Sequence, residues 1–164
     1  MNNRPLVEVV LRQLSLQESM DISAGVRPAT GWADDFPQRG DVAATRYTSL
    51  AGMERLPWSA SWLIVANGLV AGTIGFKGAP VHDEVEVGYG VVPSLQGRGV
   101  ATSALTQLLD VIRDHDFRIK AETAAWNVAS QQVVRKAGFV EVERRMTNED
   151  GELIVWRREP STSR

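Results

Sequence analysis

The chain has 164 residues, of which 43% are hydrophobic and 23% charged, a composition typical of one globular domain with its own core. The formal net charge is −2, which gives no overall attraction to nucleic acid. No apolar run approaches the ~20 residues of a membrane span, and the N-terminus has no apolar signal core. We therefore expect neither nucleic acid nor a membrane as partner. The absence of cysteine excludes disulfides, thiolate metal sites and a cysteine nucleophile, and it fits the reducing cytoplasm, where we expect the protein.

The first half of the chain predicts strands, helical segments and a hairpin. Apolar runs predict three strands, at 7–11, 62–65 and 69–76. Ser15 followed by Glu18 has the capping-box spacing of a helix start, and residues 42–54 form a weaker helix candidate. The pair Asn67-Gly68 stands between the second and third apolar runs and predicts a β-hairpin there.

The second half predicts strand, helix, strand, helix and a closing hairpin. Its four predicted strands lie at 85–92, 118–123, 139–145 and 152–158. An apolar stripe at helical spacing begins near Val100, and Asn127 caps a further helix that Gly138 ends. The whole order predicts a mixed α/β (α+β) domain, residues 1–159, with a sheet of about six to seven strands flanked by about four helices and a polar tail at 160–164.

The stretch Gln96 to Ala101 joins a predicted strand to the start of a predicted helix. Free backbone N–H groups converge at a helix N-terminus, where the helix dipole is positive. Gly97 and Gly99 allow the main chain to approach a bulky phosphate, and Arg98 adds a positive charge. The glycine spacing matches neither the Rossmann fingerprint nor the P-loop, so the loop alone indicates either a phosphate site of another kind or only a tight connection.

Three motifs in this region resemble those of the GNAT superfamily of acyl-CoA-dependent N-acetyltransferases. The family's pyrophosphate signature, Gln/Arg-x-x-Gly-x-Gly/Ala, is matched by Gln96, Gly99 and Ala101. The preceding strand resembles the Glu-x-Gly-Tyr-x-Val-x-Pro run at Glu86, Gly88, Tyr89, Val91 and Pro93. The next helix resembles the Asn-x-x-Ser…Lys-x-Gly-Phe run at Asn127, Ser130, Lys136, Gly138 and Phe139. The resemblance covers about residues 85–139 and implies the GNAT fold.

The resemblance also implies acetyl-CoA as co-substrate and a set of residues that would bind it. Pantetheine would pair with the Val91 backbone as an added strand does. The implied cofactor residues are Val91, Val92 and Pro93 at the strand end, Gln96, Gly97, Arg98, Gly99, Val100 and Ala101 around the pyrophosphate, and Asn127 and Ser130 on the far wall. For Asn127, simple helix capping is the alternative role.

Attack of an amine on a thioester needs a group that accepts the amine proton. Glu86, at a frequent glutamate position of the family, is the first candidate, although a strand carboxylate is equally often solvated or structural. The tyrosine that protonates the leaving thiolate in many members is replaced by Val134, which leaves Ser130 or solvent as donor. Alternation places Tyr89 on the strand face opposite Glu86, which we take to be the wrong face for a donor.

An acceptor site is expected in the first half of the chain, where aromatic and acidic side chains that suit a cationic amine concentrate. The candidates are Trp32, Asp34, Asp35 and Phe36, with Trp58 and Trp62 further along. Any one of them has a plain alternative, since tryptophans are usually core residues and adjacent carboxylates are often a solvated loop. His82 and Asp83 are too isolated for a metal site, so we expect no metal.

The resemblance implies an N-acetyltransferase that moves the acetyl group from acetyl-CoA to a primary amine of a small molecule or peptide, by direct attack in a ternary complex. A non-catalytic acyl-CoA-binding module of the same fold is an alternative, which Val134 keeps open. An unrelated binder of a phosphorylated ligand is a third. The sequence identifies neither the acceptor amine nor the oligomeric state, and a homodimer is compatible with it.

Overall fold

A computed structural model describes residues 7–28, 31–50, 58 and 60–161, with only the backbone for 46–50. Its strands are β1 (Val9–Gln13), β2 (Ser61–Ala66), β3 (Leu69–Phe76), β4 (Glu84–Val91), β5 (Arg118–Ala124), β6 (Val140–Thr147) and β7 (Gly151–Arg158). Its helices are α1 (Leu16–Ala24), α2 (Arg39–Leu50), α3 (Val100–Val111) and α4 (Val128–Lys136), with a 3₁₀ turn at Pro93–Leu95. The strands form one seven-stranded sheet in the order β1-β2-β3-β4-β5-β7-β6. The predicted mixed fold is confirmed.

Local sequence signals set most element boundaries. Ser15 and Glu18 form the predicted capping box at the start of α1. Gly138, just after α4, has a φ of 85°, in the left-handed region that favours glycine. Helix α2 begins three residues before the predicted 42, and there Asp41 accepts a hydrogen bond from the Gln38 N–H at 2.7 Å. The predicted helix segment 51–54 lies outside the described residues.

The two faces of the sheet are covered by different helices, as β4 shows. Its odd-numbered residues Val85 and Val87 are buried, and Tyr89 reaches the backbone and side chain of Ser130 on α4. On the even face, a Cβ added at Gly90 would lie 3.9 Å from the carboxylate of Asp41, in the first turn of α2. Helix α4 therefore covers the odd face of β4, and α2 covers the even face.

Strands β4 and β5 separate after a short parallel pairing. They pair only over Glu84–Glu86 and Arg118–Lys120, although both strands continue beyond these residues. Every other strand pair in the sheet is antiparallel. The second half of β4 therefore pairs with β3 on one side and lines an opening on the other.

The backbone groups that face this opening follow from the pairing with β3. The Glu86 carbonyl accepts from the Lys77 N–H, and the Val92 N–H donates to the Ala71 carbonyl, both toward β3. Because backbone groups of alternate residues point to opposite neighbours, the N–H and C=O groups of the odd-numbered residues Tyr89 and Val91 point into the opening.

Candidate active site

A groove fills the opening between β4 and α4 and ends at the glycine loop. Its cavity measures about 350 Å³. It is lined by Tyr89, Gly90 and Val91 of β4, by Leu95, Gln96, Gly97, Gly99, Val100, Ala101 and Thr102 of the loop and α3, and by Asn127, Ala129, Ser130, Gln132, Val133 and Lys136 of the α4 region. The structure thus brings most of the predicted cofactor residues together in one place.

The glycine loop ends in an uncapped helix N-terminus that faces the groove. Gly97 and Gly99 have φ values of 70° and 79°, in the left-handed region that favours glycine. Gly99 is the N-cap of α3, and no side chain caps that helix. A Cβ at either glycine would meet nothing within 4 Å, so the conformation rather than lack of space explains the two glycines. The first N–H groups of α3 are available to an anion.

Three predicted cofactor residues do not line this cavity. Val92 is fully buried, and its N–H bonds to β3. Pro93 begins the 3₁₀ turn on the outside of the loop, and Arg98 is exposed beside the groove. Conversely, Lys136 lines the groove and adds a cation to it. The cofactor roles of Val92, Pro93 and Arg98 stay predictions.

The open edge of β4 is partly occupied by a side chain of the loop. The Gln96 side-chain amide donates to the Val91 carbonyl at 2.9 Å. This contact is consistent with a Val91 carbonyl that points away from β3. The backbone N–H and C=O groups of this edge can form hydrogen bonds with an extended ligand that carries amide groups.

Glu86 lies at the closed end of the opening, as the last residue of β4 that pairs with β5. Its two carboxylate oxygens contact two ammonium groups, Oε1 that of Lys77 at 2.5 Å and Oε2 that of Lys120 at 2.8 Å. Burial works against the charged form of Lys120, but its bonds to Glu86 and Glu122 outweigh that cost and raise the pKa of Lys120. Glu86 is therefore an ion-paired carboxylate and not a freely solvated one. Its role as base stays a prediction.

Tyr89 lies on the groove side of the sheet. Its hydroxyl is 2.8 Å from the Ser130 hydroxyl and 3.2 Å from the Ser130 carbonyl oxygen. The sequence-based interpretation that Tyr89 is on the wrong face is wrong, because α4 covers the odd face of β4. The position of the family's tyrosine, Val134, is fully buried, and its neighbour Val133 lines the groove instead. Burial raises the pKa of the Tyr89 hydroxyl, against a smaller lowering by Ser130.

Asn127 combines the two roles that the sequence left open. Its side chain accepts a hydrogen bond from the Ser130 N–H at 3.0 Å and so caps α4. It also lines the groove. Capping fixes the first turn of α4, and with it the position of the Ser130 hydroxyl.

The predicted acceptor residues lie in the α1–α2 connection, and none of the four lines the groove. Phe36 is buried and packs edge-on against Trp32, with ring centroids 4.9 Å apart, so its ring belongs to the core. Asp35 accepts hydrogen bonds from the Ser94 N–H and hydroxyl, both at 2.9 Å, and the backbone bond above all lowers the pKa of Asp35. Asp34 is exposed. Their contact with an acceptor stays a prediction.

A second cavity, of about 380 Å³, was not anticipated from the sequence. It is lined by Lys77, Glu122, Ala124, Trp126, Glu149, Asp150 and Leu153. Lys77 connects it with Glu86, and the Trp126 side chain is 77% exposed. These residues come from the β3–β4 connection, β5, the β5–α4 connection and the β6–β7 hairpin, so no local pattern joins them. Within the described part of the chain, no group of His, Cys, Asp or Glu residues has an arrangement suited to a metal ion.

Comparison with known proteins agrees with this architecture. The family model of the acetyltransferase (GNAT) domain matches residues 8–140, and the chain belongs to this family of acyltransferases. A search of curated proteins found no significant match. Among the described helices, none is long and apolar enough to cross a membrane.

Solved structures show the same fold at low sequence identity. RimL, a ribosomal L7/L12 alpha-N-protein acetyltransferase in complex with coenzyme A, is 18% identical over 93% of this chain and 94% of its own, with a TM-score of 0.68. A ribosomal-protein-S5-alanine acetyltransferase from Vibrio fischeri is 15% identical over 98% and 96%, with a TM-score of 0.70. The putative acetyltransferase yncA from Salmonella typhimurium, with its cofactor acetyl-CoA, is 19% identical over 94% and 95%, with a TM-score of 0.62.

Proposed function

We propose that this chain transfers the acetyl group of acetyl-CoA to a primary amine by direct attack in a ternary complex. The observation that carries the proposal is the groove, which joins an uncapped helix N-terminus to an open strand edge. A long ligand with a pyrophosphate at one end and amides in its middle fits both features. The solved relatives with coenzyme A and acetyl-CoA support this choice of ligand.

In the proposed complex, the backbone N–H groups from Gly97 to Ala101 bind the pyrophosphate. Lys136 and Arg98 add positive charge beside it. The pantetheine amides pair with Tyr89 and Val91, and one of them displaces the Gln96 side chain from the Val91 carbonyl. The thioester then lies deeper in the opening, toward its closed end at Glu86.

Glu86 accepts the amine proton in the proposed reaction, directly or through one water. Its ion pairs with Lys77 and Lys120 hold the carboxylate in place at the closed end. A strand N–H of the open edge, at Tyr89 or Val91, stabilises the oxyanion of the tetrahedral intermediate. Ser130, across the groove on α4, donates a proton to the departing thiolate.

The acceptor amine approaches on the Glu86 side of the sheet. The second cavity lies there and presents the carboxylates of Glu149 and Asp150 and the exposed indole of Trp126, beside Glu122, which is ion-paired with Lys120 and Arg145. Carboxylates and an aromatic face suit a cation. The α1–α2 connection, with Trp32, Asp34 and Asp35, borders the other end of β4 through Ser94 and supplies further contacts. Two solved structures of this fold, the ribosomal L7/L12 alpha-N-protein acetyltransferase and a spermidine N-acetyltransferase chimera, support an amine acceptor of small-molecule or peptide type.

The proposal is tested by incubating the protein with acetyl-CoA and a panel of amines that includes peptides with free N-termini, lysine side chains and polyamines. Release of coenzyme A with an equal amount of acetylated amine, and initial-rate lines that intersect when both substrates are varied, are the expected results. Binding of acetyl-CoA without turnover of any amine would instead support the non-catalytic binding module. No binding of acetyl-CoA would point to a different phosphorylated ligand.

A further inference from the structure

We propose that Tyr89 is a positioning residue that makes the Ser130 hydroxyl a proton donor to the thiolate of coenzyme A. The inference rests on the proposed acetyl transfer and deepens it, because it assigns the source of the leaving-group proton. Both side chains line the groove, and their hydroxyl oxygens are 2.8 Å apart. Val134, where the family carries its tyrosine, is buried away from the groove. The phenol of this site thus comes from β4 and not from α4.

The position of Tyr89 along β4 places this pair near the thioester of the proposed complex. Of the β4 residues that line the groove, Tyr89 is the one nearest to the closed end at Glu86. Three residues of a strand span about 10 Å. The Ser130 hydroxyl is fixed on the opposite wall by the Asn127 cap of α4. A sulfur atom that lies deeper than the Val91 amide therefore passes beside this hydrogen-bonded pair.

The hydrogen bond between the two hydroxyls decides which proton is free. A hydroxyl has one proton to donate. When the Tyr89 O–H donates to the Ser130 oxygen, the serine proton is left to point into the groove. Burial raises the pKa of Tyr89, so the phenol carries its proton throughout the neutral range. A protonated phenol can donate to the Ser130 hydroxyl oxygen at 2.8 Å or to the Ser130 carbonyl oxygen at 3.2 Å, and the proposed relay uses the first of these bonds.

The chemistry of the leaving group explains why Ser130 needs this partner. A thiol has a pKa of about 8.5 and a phenol about 10, whereas an aliphatic hydroxyl is a far weaker acid than either. Serine alone would become an alkoxide much more basic than the thiolate it protonates. If the Tyr89 phenol replaces the serine proton as that proton leaves, the group left deprotonated is a phenolate and not an alkoxide. The pKa of the phenol is close to that of the thiol.

One proton moves along the Tyr89–Ser130 pair to sulfur as the thioester carbon loses its thiolate. The C–S bond of the tetrahedral intermediate breaks, and its electron pair goes to sulfur. Sulfur takes the proton of the Ser130 hydroxyl while the Ser130 oxygen takes that of Tyr89. The proton that the attacking amine released returns through solvent to the phenolate. The products are the acetylated amine and coenzyme A as the free thiol, with no net proton gained or lost by the enzyme.

Kinetics of Tyr89→Phe, Ser130→Ala and the double variant test the pairing. Each single change should lower the turnover number by about 10²-fold, the lower end of acid–base effects, with KM for acetyl-CoA unchanged. The double variant should be no slower than the slower single variant, because both changes remove the same relay.

The pH dependence of turnover tests the same pair. Wild-type turnover should fall only above about pH 10, since the Tyr89 pKa is raised from its usual value. Tyr89→Phe should lack this fall. Thr106→Val, which removes an exposed hydroxyl on α3, is the control and should leave the rates unchanged. Additive effects, or full activity of Tyr89→Phe, would overturn the inference.

A second measurement needs no acceptor amine. The thiol of bound coenzyme A is titrated by its thiolate absorbance in wild type, Tyr89→Phe and Ser130→Ala. A donated hydrogen bond favours the thiolate, so both variants should raise the pKa of the bound thiol by about one unit, a tenfold change in its ionisation constant. An unchanged thiol pKa in Tyr89→Phe overturns the inference. If wild type acetylates no amine, the proposed function fails, and this titration still decides whether the pair donates to sulfur.

Discussion

The two sides of β4 are built in different ways. On the groove side, the groups proposed to bind the cofactor are mainly backbone N–H and C=O groups, from the glycine loop and the open strand edge. On the Glu86 side, the groups are charged side chains from three strands and the β3–β4 connection, paired with one another: Glu86, Lys77, Lys120, Glu122 and Arg145. A site made of backbone depends on local conformation, whereas a site made of ion pairs depends on the whole sheet. The first suits a constant cofactor and the second an acceptor that differs between family members.

The largest effect is expected on the groove side, from Gly99→Asp. The variant places a carboxylate at the N-terminus of α3, where the pyrophosphate is proposed to bind. Coenzyme A affinity should fall by at least about 10²-fold, since like charges ~4 Å apart repel by about 4 kcal/mol at an effective dielectric of ~20. The fold should persist, because a Cβ at Gly99 meets nothing within 4 Å, and aspartate, like asparagine, is among the residues that tolerate the left-handed backbone conformation, at a cost of about 1–2 kcal/mol.

Gly99→Asn is the matched control for that change, with the same shape and no charge. Calorimetric titration with coenzyme A should show a much smaller loss for the asparagine variant. Equal affinity of wild type and Gly99→Asp would remove the glycine loop from the binding site.

On the other side of β4, Glu86→Gln should lower the turnover number by about 10²-fold if Glu86 is the base. Acetyl-CoA affinity should stay the same, because Glu86 does not line the groove. Glu84→Gln is the control, since Glu84 lies on the same face of β4 and is also ion-paired, with Arg157 at 2.6 Å. Equal losses in both variants would indicate a structural role of these carboxylates.

Thr73→Val tests how α2 is held on the Glu86 side of the sheet. The Thr73 hydroxyl donates to the buried Asp41 carboxylate at 2.7 Å. Its loss leaves one Asp41 oxygen without this donor, which should cost about 1–3 kcal/mol in the free energy of unfolding. Urea denaturation measures the change. Thr106→Val, at an exposed hydroxyl, should stay within about 0.5 kcal/mol of wild type. Similar values for both variants would contradict the proposed anchor.

The smallest effect is expected from Lys120→Met, and it should depend on pH. The pKa of Lys120 is raised in the folded protein, so its stabilisation is full below the unfolded value of about 10.5 and is lost as pH rises through the folded value. The stability difference between wild type and variant should be below about 1 kcal/mol at pH 7, since the pair is partly solvated. It should shrink further at alkaline pH. A difference that does not change between pH 7 and alkaline pH would contradict this assignment.

The part of the site that the sequence predicts also differs between the two sides of β4. The capping box at Ser15, the hairpin at Asn67-Gly68 and the glycine loop are set by neighbouring residues, and their local patterns show in the sequence. The pairing of Tyr89 with Ser130 joins residues 41 positions apart. It depends on which helix covers which face of β4, and alternation alone does not carry that information.

The Glu86 side shows the same limit more strongly. Lys77 follows β3 and Lys120 lies on β5, so their common contact with Glu86 depends on strand order and register. The acceptor candidates of the α1–α2 connection were predicted from composition, which does not separate a buried ring such as Phe36 from an exposed one. The cavity at Trp126 joins four separate segments and has no sequence signature.

The central claim is that the groove holds coenzyme A with its phosphates on the glycine loop and its pantetheine on the β4 edge. Amide chemical shifts during titration with coenzyme A test this claim most directly. The backbone amides of Gly97–Ala101, Tyr89 and Val91 should shift together and saturate at one affinity. The amides of Glu149 and Asp150, at the second cavity, should change little. Saturating shifts at the second cavity without shifts in the glycine loop, or no saturable shifts at all, would contradict the account.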